Sequence, residues 1–241
     1  MKPRDFFARH RTKGPLTAFA KYLGRTFTPA ILIYWMILLV CLFVFANLAD
    51  DVYERETFGF DKMILTFCAN YQNQLLTGFF MLMSWLGSGY SMAISTLIGM
   101  GLLFKRRHYA DSLLLGFGVG GAALFTHLLK PFITRHRPNL FPSLVELPTN
   151  YSFPSGHATQ SAAFALCLYL IAAHHKAEWK VPVAIIAFSF AFCVGLSRVY
   201  LQVHFPSDVL GGFTLSIAWV LGLSALLKWR RRQVREGEMR G

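Results

Sequence analysis

The chain has 241 residues, 54% of them hydrophobic and only 15% charged, with mean hydropathy +0.43 and formal net charge +12. A soluble globular domain carries about a quarter charged residues, so this composition excludes an ordinary cytosolic enzyme, a disordered tail and a disulfide-stapled secreted domain, and it fits an integral membrane protein. The excess of 24 Lys and Arg over 12 Asp and Glu reads as membrane-flanking charge rather than a nucleic-acid footprint.

Taken in chain order, a basic segment over 1–26 comes first. The apolar run that follows is span-length, which argues against a cleaved signal. Six uncharged runs are predicted to cross the bilayer as helices: 27–49, 88–104, 112–129, 158–173, 181–196 and 209–227. Between the first two lies an outer segment, 50–87. Its apolar stretch 63–86 is broken by Asn70, Gln72, Asn73 and Gln74 and reads as an amphipathic interfacial helix or hairpin rather than a seventh span. Inside the third span the run Gly-Phe-Gly-Val-Gly-Gly, 116–121, has no preceding strand and reads as close helix packing, not a nucleotide loop. A basic tail, 229–241, ends the chain. The expected fold is all-α, a polytopic membrane helix bundle with six transmembrane helices and one membrane domain over 27–228. Trp35, Trp85, Tyr90, Trp179, Trp219 and Trp229 fit a lipid-facing surface and interfacial belt. Cys41, Cys68, Cys167 and Cys193 have no zinc spacing and read as small buried hydrophobes.

Placing both termini in the cytoplasm puts eighteen of the 24 Lys and Arg inside, in accord with the positive-inside rule. Arg55, Lys62, Lys130, Arg135, Arg137 and Arg198 then remain outside. Arg55 and Lys62 read as snorkelling anchors, and Arg135 and His136 as solvated loop residues, with contact to a second phosphate or headgroup as the alternative. His127 could share the face of Lys130 three residues on, but it reads rather as a packed or water-bonded helix residue. His10, His108, His174 and His175 fall in cytoplasmic segments and receive no catalytic role.

Three blocks are expected at outer span ends. Lys130 is followed by Arg137-Pro138 at the end of span three. Pro154-Ser155-Gly156-His157 begins span four. Ser197-Arg198, His204 and Asp208 bridge spans five and six. Lys130, Arg137 and Arg198 supply three cations suited to phosphate oxygens. Ser155 is a suitable helix N-cap, and the free N–H groups that follow it make an anion site. Gly156 lets a phosphate approach the backbone. Asp208 is placed to fix one ring nitrogen of His204 and leave the other free to attack phosphorus. His157 is then available to protonate the leaving oxygen and later to activate water. Asp208 is the only acid within the three blocks, so a phosphatase without metal or cofactor is favoured over a two-metal one.

These blocks resemble the type 2 phosphatidic acid phosphatase (PAP2) superfamily of membrane lipid phosphatases, whose pattern KX6RP, PSGH, SRX5HX3D stands here in full. The resemblance implies a metal-independent lipid phosphatase with His204 as nucleophile through a phosphohistidine, Asp208 orienting it and His157 as acid/base. It implies phosphate binding by Lys130, Arg137, Ser155, Gly156 and Arg198. The substrate would be undecaprenyl diphosphate, phosphatidylglycerol phosphate, phosphatidate or lipid A 1-phosphate, cleaved at the outer face of a bacterial inner membrane. The partners implied are that substrate and membrane lipids, with no nucleic acid. Two other readings compete: a phosphotransferase using the same site, and a non-catalytic scaffold or transporter.

Overall fold

The computed structural model describes residues 29–54, 58–147, 151–175 and 177–238. The basic segment 1–26, Arg55, Lys176 and the last three residues of the tail lie outside the described residues. Eight α-helices are described: α1 Pro29–Tyr53, α2 Gly59–Asn70, α3 Gln74–Leu86, α4 Gly89–Lys105, α5 Tyr109–Ile133, α6 Gly156–His175, α7 Lys180–Tyr200 and α8 Pro206–Glu238. No strand occurs among the described residues. Two compact units divide at Ile37 and Leu38, within α1. In the first, the rings of Tyr34 and Trp35 meet edge to face at 6.1 Å. The second holds the rest of α1 and helices α2 to α8.

Five helices are long and apolar enough to cross a bilayer, and α3 with α4 form a sixth crossing if their 52° bend is counted within one span. The outer surfaces of these helices carry large apolar side chains such as Phe43 (70% exposed), Leu97 (67%) and Ile186 (72%). In water such a surface is untenable; in lipid it is the matching one. The chain is a multi-pass membrane protein.

Stretch 63–86 is a hairpin of α2 and α3 joined through 71–73, and α3 leads through a 52° bend into α4. Asn73, which looked like an interruption, is the N-cap of α3, accepting from Leu76 N at 2.9 Å. The bend falls at Gly87-Ser88, where Ser88 caps the start of α4 by accepting from Ser91 N at 3.3 Å. Tyr200 on α7 ties the hairpin down, its hydroxyl lying 3.2 Å from Asn73 N and 3.1 Å from Thr77 Oγ1.

Helix α6 is flanked by α5, α7 and α8. Small residues allow this: Ala165, Ala187 and Ala191 pack together between α6 and α7. The glycine run of α5 acts the same way. A Cβ on Gly118 would stand 2.4 Å from Cys167 Sγ, and one on Gly121 2.4 Å from the Trp219 ring. Trp219 therefore does not join the lipid-facing belt; it packs on α5 and donates to Phe117 O at 3.0 Å. The other five aromatics of that set are exposed: Trp35, Trp85, Tyr90, Trp179 and Trp229. Cys41, Cys68 and Cys167 are buried, Cys193 only partly, and all four are free thiols.

Each helix around the site runs two to four residues past the apolar run that announces it. Lys130 lies in the last turn of α5, His157 in the first turn of α6, Arg198 in the last turn of α7 and Asp208 in the first turn of α8. The charged ends of these helices are the three sequence blocks.

Candidate active site

Helix α7 stops at Tyr200, and the chain reverses in five residues to start α8 at Pro206. Gln202 makes the reversal with φ 60°, a left-handed conformation that costs a non-glycine residue about 1–3 kcal/mol. It is held by burial and by a bond from its Nε2 to Leu65 O at 3.0 Å. The N–H groups of Val203 and His204 both donate to Arg198 O at 3.1 Å. His204 is thereby fixed beneath the end of α7, 2% exposed.

The start of α8 places Asp208. Pro206 occupies the first helical position, where its missing N–H costs nothing. Asp208, two residues on, reaches back to accept from Phe205 N at 2.9 Å. The same Oδ2 lies 3.1 Å from His204 Nδ1. On the other side of the ring, Arg137 Nη1 lies 3.1 Å from His204 Nε2. A guanidinium carries only donors, so Nε2 accepts and Nδ1 holds the proton that it donates to Asp208. Burial drives His204 down to about 3, opposed by the hydrogen bond and charge of Asp208 and reinforced by Arg137 and Arg198. The ring is neutral at ordinary pH.

The cations and the start of α6 converge on this pair. Arg137 also donates to Val203 O at 2.8 Å, and burial lowers its affinity for protons while Asp208 opposes that shift. Lys130 Nζ at 2.5 Å and Arg137 Nη2 at 3.5 Å share the Tyr151 carbonyl, which draws the first block together. Arg198 is 4% exposed and donates through Nη1 to Ser84 Oγ. Ser155 N donates to Asp208 O at 3.0 Å, docking the start of α6 onto α8. A Cβ on Gly212 would stand 3.0 Å from Ser155 O, so this approach needs glycine. Gly156 is different. A Cβ there would meet Thr126 Cγ2 at 3.5 Å and Gln160 Nε2 at 3.9 Å, ordinary contacts, so protein packing does not demand glycine at that position.

Two buried donors of the sequence blocks, Ser155 Oγ and Arg198 Nε, have no partner among the described residues. Ser155 therefore stands at the cap position of α6 without using its hydroxyl as a cap. Buried polar groups are normally satisfied, and two orphan donors beside the neutral His204 mark a place for an anion. A cavity of about 320 Å³ adjoins Arg135 and Arg137 and is walled by Val52, Phe58, Ile133 and Leu140.

The sequence reading missed one part of the site and misplaced another. Arg135 is not a solvated loop residue. Its side chain is 11% exposed and donates to Asp208 Oδ1 at 2.5 Å, Ser207 Oγ at 2.7 Å and Asp61 Oδ2 at 2.9 Å. Its guanidinium lies 4.1 Å from the Phe205 ring centroid. Asp61, on α2, is 2% exposed and brings a second carboxylate to a place where the three blocks offered only Asp208. Arg135 bridges the two carboxylates. Removing one partner of such a buried set costs about 3–5 kcal/mol. Asp61 carries no motif. His127, read as a packed or water-bonded helix residue, is helical and exposed, and it lines a cavity with Lys130 and Tyr151.

The chain matches the PAP2 superfamily over residues 111–232. It belongs to that superfamily. It is 38% identical over 149 residues to phosphatidylglycerophosphatase B of Bacillus subtilis (strain 168), covering 60% of this chain and 70% of that one. It is 29% identical over 201 residues to undecaprenyl-diphosphatase of Sulfolobus acidocaldarius, covering 81% and 91%. Among solved structures it is similar to the transmembrane PAP2-type phosphatidylglycerolphosphate phosphatase of Bacillus subtilis, with TM-score 0.70 and 31% identity over 78% of this chain and 94% of that one. These PAP2 relatives are membrane lipid phosphatases.

Proposed function

We propose that this PAP2 protein hydrolyses a lipid phosphate or diphosphate at the extracytoplasmic face, through a phosphohistidine on His204. The observation that carries the reading is the state of His204: neutral, buried, its Nδ1–H held by Asp208 and its Nε2 lone pair beside Arg137, with the orphan donors of Ser155 and Arg198 nearby. Arg137 leaves Nε2 for a phosphate oxygen when substrate arrives. His204 Nε2 then attacks phosphorus as the bond from phosphorus to the leaving oxygen breaks, and His157 gives that oxygen its proton. Lys130, Arg137, Arg198, Ser155 and the N–H groups after Gly156 stabilise the charge on the equatorial oxygens. In the second step His157 takes a proton from water, water attacks phosphorus, and the bond to Nε2 breaks to release inorganic phosphate.

The cavity beside Arg137 joins apolar walls to cationic ones, which suits a lipid whose tail stays in the bilayer while its phosphate reaches the cations. The positive-inside count supports the outer face for this end of the helices. The relatives' names favour phosphatidylglycerol phosphate and undecaprenyl diphosphate as first substrates. The test is phosphate release by the purified protein in detergent with EDTA, with those two lipids, phosphatidate and lipid A side by side. Release from one lipid under EDTA is expected. Activity that collapses in EDTA and returns with magnesium would contradict the metal-free reading.

A further inference from the structure

Asp208 has two oxygens with different work. Oδ2 takes the His204 Nδ1–H and the Phe205 N–H. Oδ1 takes Arg135. Arg135 in turn is bound by Asp61, whose Oδ1 also accepts from Ser207 N at 2.8 Å and whose Oδ2 accepts from Ser207 Oγ at 2.5 Å. The residue before α8 is Phe205, which has no side-chain oxygen to cap the helix. Asp61 supplies the missing cap from another helix, where an acid also complements the helix dipole. All of these groups are buried or nearly so, and the chain positions they join, 61, 135 and 207–208, are far apart in sequence.

From this network we infer that Asp61 and Arg135 are positioning residues for the nucleophile: they clamp the first turn of α8 and the Asp208 carboxylate so that His204 keeps its proton on Nδ1. Geometry carries this inference. The Asp208 carboxylate would otherwise have one anchored oxygen and freedom to turn about its side-chain bonds. With Arg135 on Oδ1, Oδ2 is locked toward both the imidazole and Phe205 N. The Phe205 ring under the guanidinium and Ser207 Oγ beside it leave Arg135 little choice of rotamer. Asp61 lies outside the segment matched to the superfamily, 111–232, so this part of the machinery comes from the outer hairpin. The outer hairpin therefore contributes to turnover as well as to whatever it contributes to substrate choice. The inference rests on the phosphatase reading for its kinetic part alone.

The experiment compares Arg135→Gln, Asp61→Asn and the double variant in detergent, after melting curves and gel filtration show that each is folded. For Arg135→Gln, kcat is expected to fall about 100-fold, the scale of a misplaced reacting group, with KM within about threefold. Asp61→Asn should lower kcat about tenfold, and the double variant should be no worse than Arg135→Gln. Unchanged kcat in folded Arg135→Gln, a loss confined to KM, or losses that multiply in the double variant would overturn the clamp. A second readout is independent of turnover and serves if Arg135→Gln does not fold. Histidine 15N shifts should report His204 as the Nδ1–H tautomer in the parent and as a mixture with Nε2–H in Asp61→Asn; an unchanged tautomer would overturn the clamp. Failure of the parent protein to release phosphate from any lipid would instead count against the phosphatase reading, while the 15N result would still decide the clamp.

Discussion

Two histidine–aspartate pairs stand beside opposite ends of α5 and α6. At one end His204 Nδ1 lies 3.1 Å from Asp208 Oδ2, with side chains 3% and 0% exposed. At the other, His175 Nε2 lies 2.5 Å from Asp111 Oδ2, with side chains 31% and 9% exposed. By pair chemistry alone the second is the tighter. The surroundings separate them. His204 is hemmed by Arg137 and Arg198, and the carboxylate that holds it is itself held by Arg135. Around His175 the neighbours are the rings of His108 and His174, at 4.1 and 4.7 Å, and the nearby Lys105, Arg106 and Arg107 are exposed. A histidine–aspartate pair alone therefore does not mark a nucleophile, and the role proposed for His204 rests on its surroundings. Burial keeps His204 neutral, and cations withdrawn from water can bind a phosphate strongly, whereas exposed ones are screened.

Breaking the first pair should have the largest effect. Asp208→Asn keeps the shape of the side chain and the acceptor for Phe205 N, but it removes the charge that stabilises the imidazolium and the preference for one tautomer. The expected loss in kcat is about 1,000-fold or more, by analogy with the aspartate of a serine-protease triad, measured as phosphate release from the best lipid of the panel. A loss under tenfold would reduce Asp208 to a helix cap. Breaking the second pair should have the smallest effect. His175→Ala should leave kcat and KM within about twofold and lower the melting temperature by only a few degrees, because Asp111, whose side chain is 9% exposed, loses one hydrogen-bond partner, a cost of about 1–3 kcal/mol. A large loss of turnover in His175→Ala would erase the distinction drawn between the two ends.

The same contrast explains what the sequence made legible. Span positions were readable because apolar runs must match bilayer thickness. The blocks around Lys130, Ser155 and His204 were readable because phosphate chemistry demands particular residue types at short spacings, and the fold does gather them. Helix ends were read short, since Lys130, Arg198 and Asp208 are charged yet helical, and a hydropathy run stops where a charge begins. Arg135 was misread for a related reason: an Arg in a loop is usually solvated, and only the fold reveals carboxylates from α2 and α8 on either side of it. Asp61 was invisible because no local pattern tells an aspartate that it will cap a helix 146 positions away. Trp219 was assigned to lipid because its residue type is common there, while the glycines of α5 had already made room for it.

The central claim is that His204 Nε2 carries the phosphoryl group. The most direct measurement is a single-turnover reaction with lipid labelled in its terminal phosphate, quenched in alkali, where phosphohistidine survives, and followed by peptide mapping. The account expects label on the peptide containing His204, appearing before free phosphate, and no labelled peptide and no turnover in His204→Ala. Phosphate release at full rate with no labelled histidine, or turnover persisting in His204→Ala, would contradict it.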